Sequence, residues 1–474
     1  MEGQLLTDQG GVMIDKSEID AKGEELGVHA ANVQRDYVFG WLLSSVYRPD
    51  NPLGSLLVLK GGNCFRKGYF EHARFSNDLD FSTQTELDLG LLLQGLKQAC
   101  VFAKEQSGVE FLIDDSRVSE KRLADAESRI YEARVYFKSF YGEEDARIRV
   151  DLDVKEYDRV FLPIQTRRLI HSYSDAQLCQ GDIRCLKLEE MLASKLKALL
   201  QRRHSPDLYD FVHAVFFQKA LNISRREVLS TFLKQTIYEP EPMIARNLLL
   251  ELPFQAIKGF WSEYLVCPKL SLFSFDDAET WFKTVVGEIF SLVEPRFAYA
   301  GISGRSALSY FPSTFRAEIM EAARLHRLLR FVYDGLQRTV EPYALVFKRR
   351  RDGVAREYFY AWDLSGGRSG EVGIKSYIAD KVHSVAIADQ TFEPRFPIEL
   401  TKSGGYFGKP TFSNSGVGTF TSRRTPRSSG LGMQYTVECP YCNKRFPRSK
   451  YDTKLNEHKD HYGNRCPGRV GYMV

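Results

Sequence analysis

The 474-residue sequence contains no apolar run approaching the roughly 20 residues that a membrane-spanning helix needs. Its N-terminal stretch also lacks the basic, apolar and small-residue regions of a secretory signal peptide. Neither sign of charge dominates, because 65 Lys and Arg stand against 61 Asp and Glu, which leaves a formal net charge of +4. We therefore expect a soluble cytoplasmic protein without membrane contact, whose overall charge does not indicate a class of partner.

Cysteine is also scarce, and its distribution is uneven. Of the eight cysteines, most are scattered singly, while the last ones cluster near the C-terminus. This distribution argues against a disulfide framework and favours reduced thiols plus one metal site. Thiolate and imidazole ligands at these spacings suit tetrahedral Zn²⁺, and the ion would add folding free energy to a tail with little core of its own. The expected ligands are Cys439, Cys442, His458 and Cys466. His461 is an alternative to one of the last two.

A strand followed by glycines and two aspartates is the most informative stretch. The apolar residues 56–59 predict a buried strand that stops at Gly61 and Gly62. A glycine pair at this place lets a phosphate approach the backbone N–H groups closely. In the next alternating segment, period two places Asp78 and Asp80 on one face of a strand. Their charges repel unless a cation lies between them, so the stretch indicates metal-dependent nucleotide chemistry, with a solvated strand edge as the alternative.

A second alternating strand, at 147–154, again carries acids at every second position. Nucleotidyl transfer with two metal ions needs a third carboxylate beside the first pair. Asp151 or Asp153 could supply it, and Asp151 is preferred. The expected ion is Mg²⁺, or Mn²⁺ in its place. An ordinary exposed face of alternating acids is the alternative.

A helical segment from 185 to 215 carries four further charged candidates. Ser205 and Pro206 mark the start of its second helix, because Ser favours the N-cap and Pro the first helical position. The candidates are Lys195, Arg202, Asp207 and Asp210. Lys195 could neutralise a triphosphate or lie on the surface. Asp207 and Asp210 could act at the site, or Asp207 could only favour the helix start and Asp210 be an ordinary surface acid.

Two blocks of this sequence resemble the AbiEii/AbiGii abortive-infection nucleotidyltransferase family, whose fold is similar to that of the DNA polymerase β nucleotidyltransferases. The first block is KGGNCFRKGYF followed by RFSNDLDF, and the second is KLEEMLASKLKALLQRRHSPDLYDF. The family usually has an arginine directly before the first aspartate of the second block, where this chain has Pro206. A phosphate contact from that position would have to come from Arg202, Arg203 or His204.

The resemblance and the residue patterns together set the expected site. The expected catalytic residues are Asp78, Asp80, Asp151, Lys195, Asp207 and Asp210. The expected nucleotide-binding residues are Lys60, Gly61, Gly62, Arg66, Ser76 and Arg202. The resemblance implies a toxin of a toxin–antitoxin or phage-defence system that uses an NTP, with the 3′ end of tRNA as an acceptor and a cognate antitoxin protein as a partner.

Residues 325–395 resemble a WYL domain, which implies a small Sm-like β barrel that senses a ligand, often nucleic acid. Phe359 and Tyr360 stand in the place of the name-giving motif, although the tripeptide itself is absent. A purely structural barrel with a solvated basic loop at 348–351 is the alternative.

The sequence thus predicts an α/β (α+β) nucleotidyltransferase core with a helical extension, a small all-β Sm-like barrel and a C-terminal zinc finger. Within the core, strands are expected at 109–113 and 130–137, with a charged loop at 114–128 between them. The expected parts are a loose lead-in at 1–28, the nucleotidyltransferase domain at 29–293, the WYL-like domain at 294–400, a flexible linker at 401–434 and the finger at 435–474. The favoured function is Mg-dependent transfer of a nucleotide from an NTP to RNA or to a protein hydroxyl. The alternative is a nucleic-acid-binding regulator with a degenerate core.

Overall fold

The computed structural model describes residues 14–121, 124, 129–141, 147–217, 221–293, 308–349, 354–401, 435–439, 444–448, 454–458, 466 and 472–473. The predicted linker beyond residue 401, together with Cys442 and His461, lies outside these ranges. Within them, no helix combines the length and the apolar character needed to cross a membrane.

A seven-stranded mixed sheet forms the centre of the N-terminal part. Its strands are β1 Val58–Lys60, β2 Asp78–Ser82, β3 Arg117–Lys121, β4 Ile130–Lys138, β5 Arg147–Lys155, β6 Gln165–Arg168 and β7 Asp182–Cys185. The order in the sheet is β3-β4-β5-β2-β1-β7-β6. The pairs β2–β5 and β1–β7 are parallel, and the other neighbours are antiparallel. On β5, Val150, Leu152 and Val154 are buried in the core, so the acids between them lie on the opposite face.

Helices surround this sheet and continue beyond it. They are α1 Lys16–Leu26, α2 Ala30–Val46, α3 Gly61–Cys64, α4 Leu89–Ser107, α5 Leu188–Gln201, α6 Ser205–Val212, α7 Arg225–Gln235, α8 Pro242–Leu250, α9 Phe254–Lys258, α10 Trp261–Tyr264, α11 Phe275–Phe290 and α12 Ser313–Leu325. One hydrophobic cluster runs through α1, α2, the sheet and the helices as far as Phe290. The helical extension is therefore continuous with the core of the sheet.

Two local predictions in this part are wrong. Residues 16–26 form a helix instead of a loose lead-in, because Asp15 caps its start, Gly27 ends it in the left-handed conformation and Ile19 is fully buried. The expected strand at 109–113 is reduced to an isolated bridge at Phe111, and a real strand, β3, lies in the expected loop. β3 is a polar edge strand, and such a strand lacks the apolar alternation on which prediction depends.

A five-stranded antiparallel sheet follows α12. Its strands are β8 Arg327–Tyr333, β9 Leu336–Arg349, β10 Ala355–Asp363, β11 Gly373–Ile378 and β12 Val382–Thr391, in the order β11-β10-β9-β8-β12. Only residues 379–381 join the two edge strands, so the sheet curls strongly. Among the described strands, however, no ladder joins β11 to β12, and the sheet is open instead of the expected closed Sm-like barrel. The register of β12 shifts twice against β8, and such irregularities turn an edge strand away from further pairing.

A small three-stranded sheet ends the chain. It consists of β13 Tyr435–Glu438, β14 Arg445–Arg448 and β15 Tyr472–Met473, in the order β14-β13-β15. Its cluster of buried residues is separate from that of the five-stranded sheet. Most of the five-stranded sheet has its own cluster, but Ala355 of β10 belongs to the N-terminal one. The exact domain boundaries expected from the sequence stay a prediction.

Candidate functional site

Four carboxylates lie side by side on one face of the large sheet. The parallel register pairs Asp78 with Asp151 and Asp80 with Asp153. Burial, together with the charges of Asp80 and Asp153, raises the pKa of Asp78 to about 6, against the opposing hydrogen bond from Ser76 at 2.8 Å. The Asp78 side chain nevertheless keeps an exposed side. Carboxylates grouped in this way offer the oxygen ligands that divalent cations prefer.

The glycine pair lies against this group, and neither glycine has room for a side chain. Gly61 has φ +70°, and a Cβ atom there would overlap the Asp80 carboxylate. A Cβ atom at Gly62 would lie 2.7 Å from the Ser76 hydroxyl and 2.8 Å from the Arg74 guanidinium. The turn from β1 into α3 therefore brings bare backbone to the aspartates, as the sequence predicts for a phosphate-binding turn.

The charged residues of α5 and α6 form one buried ion-pair network with a residue of the first block. Lys195 Nζ lies 2.9 Å from Asp207 Oδ1 and 2.7 Å from Asp210 Oδ2. Arg202 lies 2.7 Å from Asp207, and Arg74 binds both oxygens of Asp210 at 2.8 and 2.9 Å. Burial alone would raise the pKa of Asp207, but Arg202 and Lys195 outweigh it and hold the pKa well below its usual range. Asp207 and Asp210 therefore act as anions that hold three cations in place.

Arg74 is the site residue that the sequence reasoning missed. It lies within the quoted RFSNDLDF block, two positions before Ser76, yet nothing in the spacing singles it out. In the structure, it joins the glycine turn at Gly62 to the α6 carboxylate of Asp210. In the sequence, Arg74 could have been recognised as a site residue only from its basic character and its place in the RFSNDLDF block.

Two of the expected nucleotide-binding residues have other contacts. Arg66 is buried, lies 2.7 Å from Asp36 and donates to two backbone carbonyls. None of these contacts involves the aspartates of β2, and they are typical of a residue that stabilises the fold. Lys60 lies on the strand beside Asp80, but its ammonium lies 2.8 Å from Asp158.

The loop between α5 and α6 is held by the C-terminal part of the chain. Gln201 donates to the Leu345 carbonyl at 2.8 Å, and Arg203 lies 3.0 Å from Glu321 on α12. Arg316, also on α12, donates to the Leu200 carbonyl and forms a buried bidentate pair with Glu357, with both distances 2.8 Å. Because Arg202 belongs to this loop, the five-stranded sheet and α12 support the network next to the carboxylates.

Near the C-terminus, Cys439, His458 and Cys466 converge, with their ligand atoms all within 4.8 Å of one another. The two thiol sulfurs are 3.6 Å apart, close to the ~3.8 Å expected for two thiolates each about 2.3 Å from one tetrahedral ion. The donor set therefore fits zinc. The fourth expected ligand, Cys442, and its alternative, His461, lie outside the described residues.

Residues 41–253 match the family described as "Nucleotidyl transferase AbiEii toxin, Type IV TA system". The matched stretch contains the glycine turn, the four carboxylates and the whole α5–α6 network. The AbiEii match ends before α12, so the WYL resemblance and the zinc finger stay predictions.

Two solved structures are similar to part of the chain. One is MenT4, a nucleotidyltransferase toxin from Mycobacterium tuberculosis H37Rv, at 16% identity and a TM-score of 0.37, covering 58% of this chain and 88% of that chain. The other is JHP933 from Helicobacter pylori, at 16% identity and a TM-score of 0.35, covering 55% of this chain and 92% of that chain. No curated protein sequence matches this chain.

Proposed function

We propose that this protein is a divalent-metal-dependent nucleotidyltransferase toxin that transfers a nucleotide from an NTP to a hydroxyl of RNA, with the 3′ end of tRNA as the favoured acceptor. The observation that carries the proposal is the row of carboxylates directly against the side-chain-free turn at Gly61 and Gly62. In the reaction, the acceptor oxygen forms a bond to the α-phosphorus, and the bond from that phosphorus to the departing pyrophosphate breaks.

Asp78 and Asp80 would hold the metal, and Asp153 is the better third ligand. The sequence favoured Asp151, but Arg149 lies 2.9 Å from that carboxylate and Arg134 lies 3.9 Å from it. Asp153 is the β5 acid whose charge acts on Asp78. When bound, Mg²⁺ or Mn²⁺ supplies positive charge for the phosphates and for the attacking hydroxyl. We therefore assign Asp151 to holding Arg149 of its own strand and Arg134 of the neighbouring β4.

The other residues position and neutralise the substrate. The backbone N–H groups of the glycine turn would approach the phosphates, and Ser76, bound to Asp78, would orient that carboxylate. Lys195, Arg202 and Arg74 carry three positive charges against the two negative charges of Asp207 and Asp210. The excess positive charge lies beside the turn, where negative charge develops during phosphoryl transfer.

The C-terminal parts would serve regulation and recognition. Cys439, Cys442, His458 and Cys466 would bind structural Zn²⁺, and the five-stranded sheet would sense a ligand in the manner of the WYL domains that it resembles. An antitoxin protein is the expected partner of the AbiEii domain, as the description of that family as a type IV toxin–antitoxin system indicates.

The test is incubation of the full chain with each of four labelled NTPs, Mg²⁺ and total RNA, followed by separation of RNA from protein. We expect label from one NTP to enter an RNA of tRNA size. If the label is found on protein instead, the acceptor is a protein hydroxyl, and the reaction is still nucleotide transfer. If no NTP gives transfer but the protein binds nucleic acid, the chain is instead a regulator with a degenerate core.

A further inference from the structure

Two lysines bind a single carboxylate at the end of the aspartate row, and the charge of a third interacts with all of them. Asp158 accepts from Lys60 at 2.8 Å and from the Ser82 hydroxyl at 2.8 Å, and its other oxygen lies 2.7 Å from Lys155. Lys197 of α5 is the third lysine, and its charge interacts with those of Lys155, Asp158 and Lys60. Together, these side chains form what we call the lysine cluster: Lys60, Lys155 and Lys197 around Asp158.

The sheet register places the cluster directly beside the carboxylates. Lys60 pairs with Asp80 across β1 and β2, and Lys155 pairs with Ser82 across β2 and β5. Lys155 is also two residues after Asp153, so it projects from the same sheet face about 6.6 Å further along the strand. The face thus changes from acidic to basic within one strand repeat.

The charge of the cluster is not balanced by its own acid. Three ammonium groups meet one carboxylate, which leaves an excess positive charge near +2 when all are ionised. In the described part of the chain, no hydrogen bond or ion pair involves the Lys197 ammonium. Burial and the charges of Lys155 and Lys60 lower its pKa to about 8, as expected for a cation without an adequate counter-ion. Lys60 and Lys155 remain partly accessible, with side chains 22% and 36% exposed.

We propose that the lysine cluster is a polyphosphate site that holds the terminal phosphates of the nucleotide while the aspartates act at its α-phosphate. This inference rests on the proposed function and assigns Lys155 and Lys197 as substrate-binding residues. Asp158 fixes the directions of Lys60 and Lys155, so their donors are preorganised for an anion. The aspartates and the lysine cluster give this sheet face an acidic end and a basic end. Such a face fits a metal-bound polyphosphate better than it fits a neutral ligand.

The first test uses the full chain and inorganic tripolyphosphate, with an amine-reactive label and mass spectrometry of each lysine. We expect tripolyphosphate to protect Lys155 and Lys197 from labelling, while Lys104, exposed on α4, is labelled at an unchanged rate. A 5′-hydroxyl RNA oligonucleotide provides the second arm. Protection by that RNA and not by tripolyphosphate would overturn the proposal, because the cluster would then bind backbone phosphates of an acceptor.

The second test compares Lys197→Met and Lys155→Gln with the control Lys104→Met. We expect each cluster variant to weaken tripolyphosphate binding and to raise the KM for NTP by about tenfold or more, with a smaller change in kcat, since a charge-assisted hydrogen bond is lost. Lys197→Arg should recover most of the binding. If tripolyphosphate binding and the KM for NTP are unchanged in both cluster variants while transfer is intact, the polyphosphate site is wrong. The proposed function is unaffected by that result. Tight tripolyphosphate binding without transfer from any NTP would instead overturn the proposed function.

Discussion

Asp80 on β2 and Asp153 on β5 are direct neighbours in a parallel strand pair, although 73 positions separate them in the chain. The apolar residues on either side of each acid are buried, so both carboxylates lie on the open face of the sheet. Asp78 and Asp151 form the neighbouring pair, but Asp151 is bound by arginine. Asp153 pairs with Lys121 at 3.7 Å, a looser contact than the 2.9 Å one between Arg149 and Asp151. This difference between the two β5 acids leads to the first prediction.

Asp153→Asn should lower nucleotide transfer far more than Asp151→Asn does. We expect a loss on the order of a hundredfold or more at Asp153, because a metal ligand contributes several kcal/mol to the transition state. The loss at Asp151 should be within about tenfold. Single-turnover transfer at saturating Mg²⁺ measures both, and the opposite ranking would restore Asp151 as the third ligand.

Arg316→Ala should destabilise the protein strongly. The change leaves Glu357 buried without its bidentate partner, and breaking a buried pair in this way costs about 3–5 kcal/mol. Arg324→Ala on the same helix should cost less than about 1 kcal/mol, because Arg324 is exposed and its half-buried partner Glu321 keeps its pair with Arg203. Chemical denaturation of the two variants makes the comparison, and equal costs would show that the α12 contact is not important for stability.

Acid should destabilise the protein partly through His213. Burial lowers the pKa of this imidazole to about 4, against the opposing charge of Asp210. The folded state therefore favours the neutral form, so this stabilising effect is complete above pH 6.5 and is lost as the pH falls from 6.5 towards 4. The shift corresponds to roughly 3 kcal/mol at most.

His213→Phe should make the decline of unfolding free energy between pH 6.5 and 4 shallower, while keeping the stacked ring contact with Tyr209. His383→Phe, at an exposed position on β12, is the matched control and should leave the decline unchanged. The same slope in both variants would exclude His213 as a cause.

The purified protein should contain a single zinc ion per chain, measured by elemental analysis. Cys439→Ser and Cys466→Ser should each lose it, because both sulfurs belong to the converging ligand set. Cys100→Ala, in the core of α4, should retain it. Zinc retained in both serine variants would place the metal elsewhere.

Period two was enough to predict that Asp78 and Asp80 share a face, and a glycine pair after a strand was enough to predict the turn. The strand register that pairs Asp80 with Asp153 depends on long-range contacts, and it was not predictable from either segment alone. The pair between Arg74 and Asp210 spans 136 positions and leaves no periodic signal. Arg66 shows a different limit of the sequence: it is a basic residue near a phosphate-type turn, yet its guanidinium contacts a buried acid, Asp36, and its nucleotide-binding role stays a prediction.

The most direct test of the carboxylate row as the catalytic centre is the rate of nucleotide transfer to RNA by wild type, Asp80→Asn and the control Asp182→Asn, which alters an exposed acid on β7. We expect transfer by wild type and by the control, no detectable transfer by Asp80→Asn, and an unchanged melting temperature in all three. Transfer by Asp80→Asn at the wild-type rate would contradict the assignment of the carboxylate row as the catalytic centre.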